Sequence, residues 1–219
     1  MKYFKMMAFL GLAGVATMGF AASSASANAR VCSPTQGNTA LACQAGHGNV
    51  YEGEIHAVLA TGTTVKFVSG FITVTCSEST ILGSVNGTNG AGSLTGLNFA
   101  TCNSFLGACT YKSSAAVGNP WPTTNTTDGL STSTDGLVDV NNITLEFTCA
   151  GETCRYVNEN SPAQPEPTID GSSSTHDTAR IIATNVKLKK EAVSGSLCSN
   201  TATWNGTYSI TTPDTLVVE

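Results

Sequence analysis

The sequence predicts an all-β fold, a disulfide-stapled antiparallel β-sandwich, with a β-barrel as the alternative closure. Three observations carry that expectation. Apolar and polar residues alternate with a period of two, Gly- and Asn-rich turns punctuate the alternating runs, and eight cysteines are spread among them. After the N-terminal leader no segment places apolar residues at i, i+3, i+4 and i+7 over three turns, the pattern an amphipathic helix requires.

Residues 1–29 read as a cleaved secretory signal. Lys2 and Lys5 make a positive start, residues 6–20 form an uncharged apolar run, and Ala25-Ser26-Ala27 and Ala27-Asn28-Ala29 offer small-x-small cleavage sites. That run falls short of the roughly 20 apolar residues that span a bilayer, so no membrane span is expected. Residues 30–219 then make a single β-sandwich domain, and a chain of roughly 190 residues buries about 70% of its unfolded surface in one core.

Removing Lys2 and Lys5 from the ten basic residues leaves eight against fifteen acidic ones, a balance near −7. That balance argues against a nucleic-acid partner, which needs a basic footprint, and against electrostatic docking to anionic lipid.

The elements follow in chain order. Residues 63–68 and 71–76 flank Ser69-Gly70 and read as a hairpin. Residues 79–85 and 93–102 are strand-like around a turn containing Asn86, Gly87, Asn89 and Gly90. Ile143, Leu145, Phe147 and Cys149 alternate with Thr144, Glu146 and Thr148. Residues 180–188 alternate again, with Ile182, Val186 and Leu188 on one side. In 201–211, Ala202, Trp204, Gly206, Tyr208 and Ile210 fall on one side and Thr203, Asn205, Thr207, Ser209 and Thr211 on the other, which is a half-buried strand. The alternation lapses at 113–135 and at 157–178, where prolines concentrate, and both stretches read as long loops.

In an exported chain an even cysteine count means bridges before it means metal or thiol chemistry. Cys32, Cys43, Cys76, Cys102, Cys109, Cys149, Cys154 and Cys198 fit four disulfides. The spacing suggests Cys149 with Cys154 around a hairpin-sized loop, Cys32 with Cys43, and Cys76 with Cys102 on neighbouring strands, leaving Cys109 for Cys198. No CxxC pair exists to seed a zinc site, and no metal or cofactor is expected.

Catalytic constellations are missing from the sequence. His47 and His56 have no HxH or HExxH neighbour, and His176-Asp177 sits beside a Ser-rich loop without a GxSxG elbow to supply a nucleophile. Asp128, Asp135 and Asp139, or Asp170 and Asp177, do not follow a calcium-loop spacing. Trp121, held between Pro120 and Pro122, is the candidate ligand-binding residue: an aromatic platform for a sugar or a partner's side chain, or else a plug at the end of the fold.

Thr75-Cys76, Gly83, Phe99, Cys102, Pro120-Trp121, Cys149, Trp204 and Tyr208 together resemble bacterial exported β proteins of the "protein activator of alkane oxidation" type. That resemblance implies an exported, cell-surface or matrix-associated β protein without a known active site. Taken with the residues, it leads us to expect a secreted, non-enzymatic structural or adhesive protein of the cell surface or biofilm matrix, whose partners are further copies of itself or matrix components. A β-sandwich module binding a carbohydrate or small hydrophobic ligand is the alternative. A secreted hydrolase with a dispersed carboxylate pair is the third reading.

Overall fold

The computed structural model describes residues 31–33, 49–86, 92–113, 121–127, 136–140, 143–158, 168–170, 178–192 and 194–218, with the backbone alone described for Asn49, Ser113, 121–127, 136–140, 168–170 and Val218. The described residues contain no helix and form fifteen strands: β1 (Val31–Ser33), β2 (Asn49–Val50), β3 (Glu52–Leu59), β4 (Val65–Ser69), β5 (Ile72–Asn86), β6 (Gly92–Ser104), β7 (Gly107–Ser113), β8 (Trp121–Thr127), β9 (Gly136–Val140), β10 (Thr144–Cys149), β11 (Glu152–Asn158), β12 (Thr168–Asp170), β13 (Arg180–Lys190), β14 (Thr201–Thr212) and β15 (Val217–Val218). Every pairing is antiparallel. The all-β antiparallel character therefore agrees with the period-two alternation.

β15, β1 and β2 form a three-stranded sheet, and the other twelve strands form one sheet whose pairings close on themselves. Four long strands, β5, β6, β13 and β14, run the full height. Between them the remaining strands share positions end to end: β4 continues β3 between β5 and β14, β7 lies in line with β8, β10 with β9, and β11 with β12. One round of pairings runs β5-β6-β7-β10-β11-β13-β14-β4 and back to β5. The other runs β5-β6-β8-β9-β12-β13-β14-β3 and back. Closure satisfies ladder donors and acceptors that an edge strand would leave open.

The two stretches expected as long loops thus contain strands, β8 in the first and β12 in the second. Their Pro and Ser content hid them because each is short and sits beside longer partners, so pairing rather than local propensity defines them.

Aromatic side chains fill the first round. Phe67 on β4 and Phe147 on β10, on opposite sides of the circuit, have ring centroids 4.4 Å apart, and Phe99 on β6 meets Phe67 edge-on at 4.9 Å. Trp204 and Tyr208 of β14 are buried beside them, and Ala202 and Ile210 complete the inward face that the alternation of 201–211 predicts. Opposite walls meeting at van der Waals distance leave this round packed rather than hollow.

Turns and bulges set the register. The β4–β5 turn is Gly70-Phe71, one residue later than the sequence places it, because Ser69 pairs with Ile72. Gly70 has φ +59° at the first central position, the backbone a type II′ turn demands and glycine supplies without steric cost. In β13, Ile181 and Ala183 are buried, then Val186 and Leu188, so Ile182 lies off the inward face. A register shift between Ala183 and Val186 resets the phase, with Asn185 at φ +53° and its N–H donating to Asn205 Oδ1 at 2.8 Å.

Candidate functional site

Cross-linking, buried polar groups and exposed aromatics converge on one end of the sheet, where the β4–β5, β6–β7 and β10–β11 turns and the 191–200 segment lie together. Cys76 pairs in register with Cys102, Cys102 with Cys109, and Cys109 with Cys149, so four buried cysteines stand in one row across β5, β6, β7 and β10. Two disulfides are made within that row, Cys76–Cys102 with Cα atoms 4.0 Å apart and Cys109–Cys149 with Cα atoms 4.3 Å apart.

Ladder phase explains this choice. Antiparallel pairs alternate between a narrow spacing of about 4.5 Å and a wide one of about 5.5 Å, and along a row a narrow pair on one side of a strand implies a wide pair on the other. Both bridges occupy narrow sites, where Cβ atoms approach as a cystine needs. The wide central pair, Cys102 and Cys109, is left unbridged.

The first of these bridges agrees with the sequence expectation; two other expected pairs do not form. Cys149 opposes Glu152 while Cys154 opposes Phe147, so Cys149 and Cys154 are diagonal neighbours. A diagonal separation of roughly 7–8 Å is beyond disulfide reach. Cys154 bonds instead to Cys198, with Cα atoms 5.6 Å apart, and so Cys109 does not pair with Cys198. Cys32 is disulfide-bonded, and Cys43, its expected partner, lies outside the described residues. The three bridges close consecutive, non-overlapping loops and fit an oxidising, extracellular environment.

Two buried serines at the interior invite a nucleophile reading, and their hydrogen bonds answer it. Ser199 N–H donates to Ser69 Oγ at 3.1 Å, the Ser69 hydroxyl and the Tyr156 hydroxyl are hydrogen-bonded, and Tyr156 donates to Ser199 O at 3.1 Å. The three bonds close a ring in which the Ser69 proton is committed to Tyr156. Ser79 donates to Asn98 O at 2.8 Å, which leaves it to accept from Tyr208 at 3.2 Å. No histidine joins either network. Burial pushes the hydroxyl pKa of Tyr208 and Tyr111 up, and that of Tyr156 likewise, so these phenols are neutral donors rather than bases.

Carboxylates near this end are also engaged. Glu152 Oε1 accepts from Leu197 N–H at 2.8 Å, Glu191 pairs with Arg155 at 2.6 Å, and across the sheet Glu146 pairs with Lys112 at 3.4 Å. His56 makes a local contact with Thr211, whose Oγ1 lies 3.1 Å from Nδ1. Among the described residues no group of three His, Cys, Asp or Glu could hold a metal ion. His47, His176, Asp128, Asp135 and Asp177 lie outside the described residues, as do the side chains of Asp139 and Asp170. Trp121 opens β8 with its backbone paired to Leu94, and its side chain lies outside the description.

A small cavity opens beneath the turns, lined by Phe67, Ile72, Leu106, Phe147, Cys149 and Cys154 among others. Its volume of about 20 Å³ is room for one water-sized molecule, far below the several hundred Å³ of a small-molecule site. Above it Phe71 and Phe105, 65% and 67% exposed, bring their rings to a centroid distance of 6.0 Å from two adjacent turns. Sequence reasoning missed this pair, because Phe71 reads as the first residue of a strand until the turn residues are fixed and Phe105 lies beyond the run expected at 93–102.

Neither a family model, nor a curated protein, nor a solved structure matches the chain. No helix among the described residues is long and apolar enough to cross a membrane.

Proposed function

We propose that this is a secreted, non-enzymatic structural or adhesive protein of the cell surface or extracellular matrix. The observation that carries the reading is the closed circuit of strand pairing braced by three consecutive disulfides. Such a body resists unfolding and reduction while presenting outward faces of Thr, Ser and Asn with few charges, which suits a durable matrix component. Interior hydroxyls that could serve chemistry are spent on one another and on backbone carbonyls, which favours scaffold over turnover. The exposed Phe71 and Phe105 supply an apolar contact at the disulfide-bridged end, of the kind that surface association uses.

The test is the assembly state of the purified protein, by size-exclusion chromatography with light scattering and by electron microscopy, alongside fractionation of the native source. Higher-order assemblies or recovery with surface material support the reading. A protein that stays strictly monomeric at high concentration and stays out of the surface fraction overturns it.

A further inference from the structure

The disulfide-bridged end of the sheet carries an apolar tip. The β4–β5 turn contributes Gly70-Phe71, the β6–β7 turn Phe105-Leu106 and the β10–β11 turn Ala150-Gly151, and no residue of these turns is charged. Phe71 and Phe105 are the two most exposed large hydrophobic residues among those described. Leu197, 44% exposed, joins them from the 191–200 segment. Ser199 N–H donates to Ser69 Oγ and holds that segment against the β4–β5 turn, while Leu197 N–H donates to Glu152 Oε1 beside the β10–β11 turn.

Polar groups around the tip are already spent on the protein itself. Leu106 N–H donates to Ser104 Oγ at 3.1 Å, Gly195 N–H to Thr153 O at 2.8 Å and Cys198 N–H to Gly195 O at 3.4 Å. Lys190 Nζ is turned onto Gly195 O and Cys198 O, at 3.0 and 2.9 Å. Groups satisfied in this way leave water without the full desolvation penalty. The bridges Cys76–Cys102, Cys109–Cys149 and Cys154–Cys198 tie the strands that carry the turns, so the apolar side chains are presented at a reduced ordering cost.

We propose that this tip inserts into the interface of an electrically neutral lipid bilayer through Phe71, Phe105 and Leu197. The proposal rests on the cell-surface reading and deepens it by naming the surface. Area and shape select the bilayer. Two rings about two-thirds exposed present roughly 250 Å² together, whereas a stable dimer buries about 800 Å² on each partner, so a second copy finds only a weak contact here. A bilayer needs no matching surface, because apolar side chains at its interface sink about 5–10 Å into the boundary between headgroups and acyl chains. A sugar ring fits less well. The two rings lean on each other at 6.0 Å with planes 56° apart, which leaves no slot between them, and the Ser104 hydroxyl is turned to Gly107 O. Fifteen acidic residues against ten basic ones, with Glu152 at the tip itself, disfavour anionic lipid, so apolar burial carries the attachment.

The test is flotation with phosphatidylcholine vesicles of the protein without residues 1–29, whose apolar run would bind lipid by itself. We expect partitioning that changes by less than about twofold between low and high salt and weakens when phosphatidylglycerol is mixed in. Phe71→Ser/Phe105→Ser should reduce it about tenfold or more, since each ring loses much of the transfer energy of a phenylalanine. Leu82→Ser removes a leucine as exposed as Leu197 from β5, roughly 33 Å along the strand from Ile72, and should stay within about twofold. Phe105→Trp keeps an aromatic at the tip and should add fluorescence that brominated phosphatidylcholine quenches, relative to the unsubstituted protein. Circular dichroism checks that each variant is folded.

Absence of flotation overturns the proposal, as does undiminished flotation of Phe71→Ser/Phe105→Ser. Flotation that grows with anionic lipid and falls with salt assigns the attachment to charged groups and overturns it as well. A dimer stable at micromolar concentration without lipid, and lost in the double variant, assigns the tip to a second copy instead. If the double variant does not fold, Phe105→Trp decides: emission unchanged by brominated lipid overturns the insertion. A protein that assembles or fractionates with surface material yet ignores the vesicles overturns this proposal alone, so the two readings fail separately.

Discussion

Removing the Cys109–Cys149 bridge is the sharpest test of the register argument. The bridge closes a loop of 40 residues, separate from the 26- and 44-residue loops of its neighbours. In the chain-entropy model a loop of that size restrains the unfolded chain by about 4 kcal/mol, whereas the five-residue separation of Cys149 and Cys154 would give only about 2 kcal/mol. Cys109→Ala/Cys149→Ala should therefore lower stability by about 4 kcal/mol. With a urea m-value of about 2 kcal/mol/M, the midpoint falls by about 2 M. Trp204, buried against the Phe67 cluster, reports the transition by fluorescence. The single variant Cys149→Ala should expose one alkylatable thiol, and peptide mapping should place it at Cys109. A thiol at Cys154 would refute the pairing. A thiol at Cys76 would show that Cys109 had captured Cys102 across the wide site, and would refute the claim that ladder spacing selects the bridges.

Gly83→Ala should destabilise by roughly 1–3 kcal/mol in chemical denaturation, because an added Cβ would lie 2.8 Å from the Ser93 carbonyl oxygen at the β5–β6 register shift. Phe71→Ser/Phe105→Ser should change stability by only about 0.5 kcal/mol, since both rings are mostly exposed, yet should reduce self-association in light scattering at high concentration. Tyr208 should govern alkaline unfolding. Its folded pKa is raised above 10.0 by burial, so the stability it contributes is fully present below that value. As pH rises above it the unfolded chain ionises while the buried phenol does not, and stability is lost at up to about 1.4 kcal/mol per pH unit. Absorbance at the tyrosinate band should then rise together with loss of near-ultraviolet ellipticity, and Tyr208→Phe should shift the transition to higher pH.

The sequence made the strand content legible wherever one face is buried and the other wet. In β14 the inward Ala202, Trp204, Tyr208 and Ile210 were readable because no bulge interrupts the alternation between them. β13 was half readable: the extra residue at Thr184-Asn185 moves the inward face from Ile181 to Val186, and no local residue type announces such an insertion. Disulfide partners were legible only where the two strands were already known to be neighbours, as for Cys76 and Cys102. Cys109 and Cys149 are 40 residues apart, and they meet only once β7 has been paired between β6 and β10. The exposed aromatic pair depended in the same way on a one-residue choice of turn.

A consequence follows for where function can be sought. Cys76, Phe99, Cys102, Cys149, Trp204 and Tyr208 are all buried. Inward positions of this kind serve packing whatever the outer surface does, so they say nothing of activity. The outward positions of the same strands answer to a different requirement. On β14 they are Thr201, Thr203, Asn205 and Thr207, which suit a pleated surface and carry no charge. Recognition has room to act on those outward positions rather than in the packed interior.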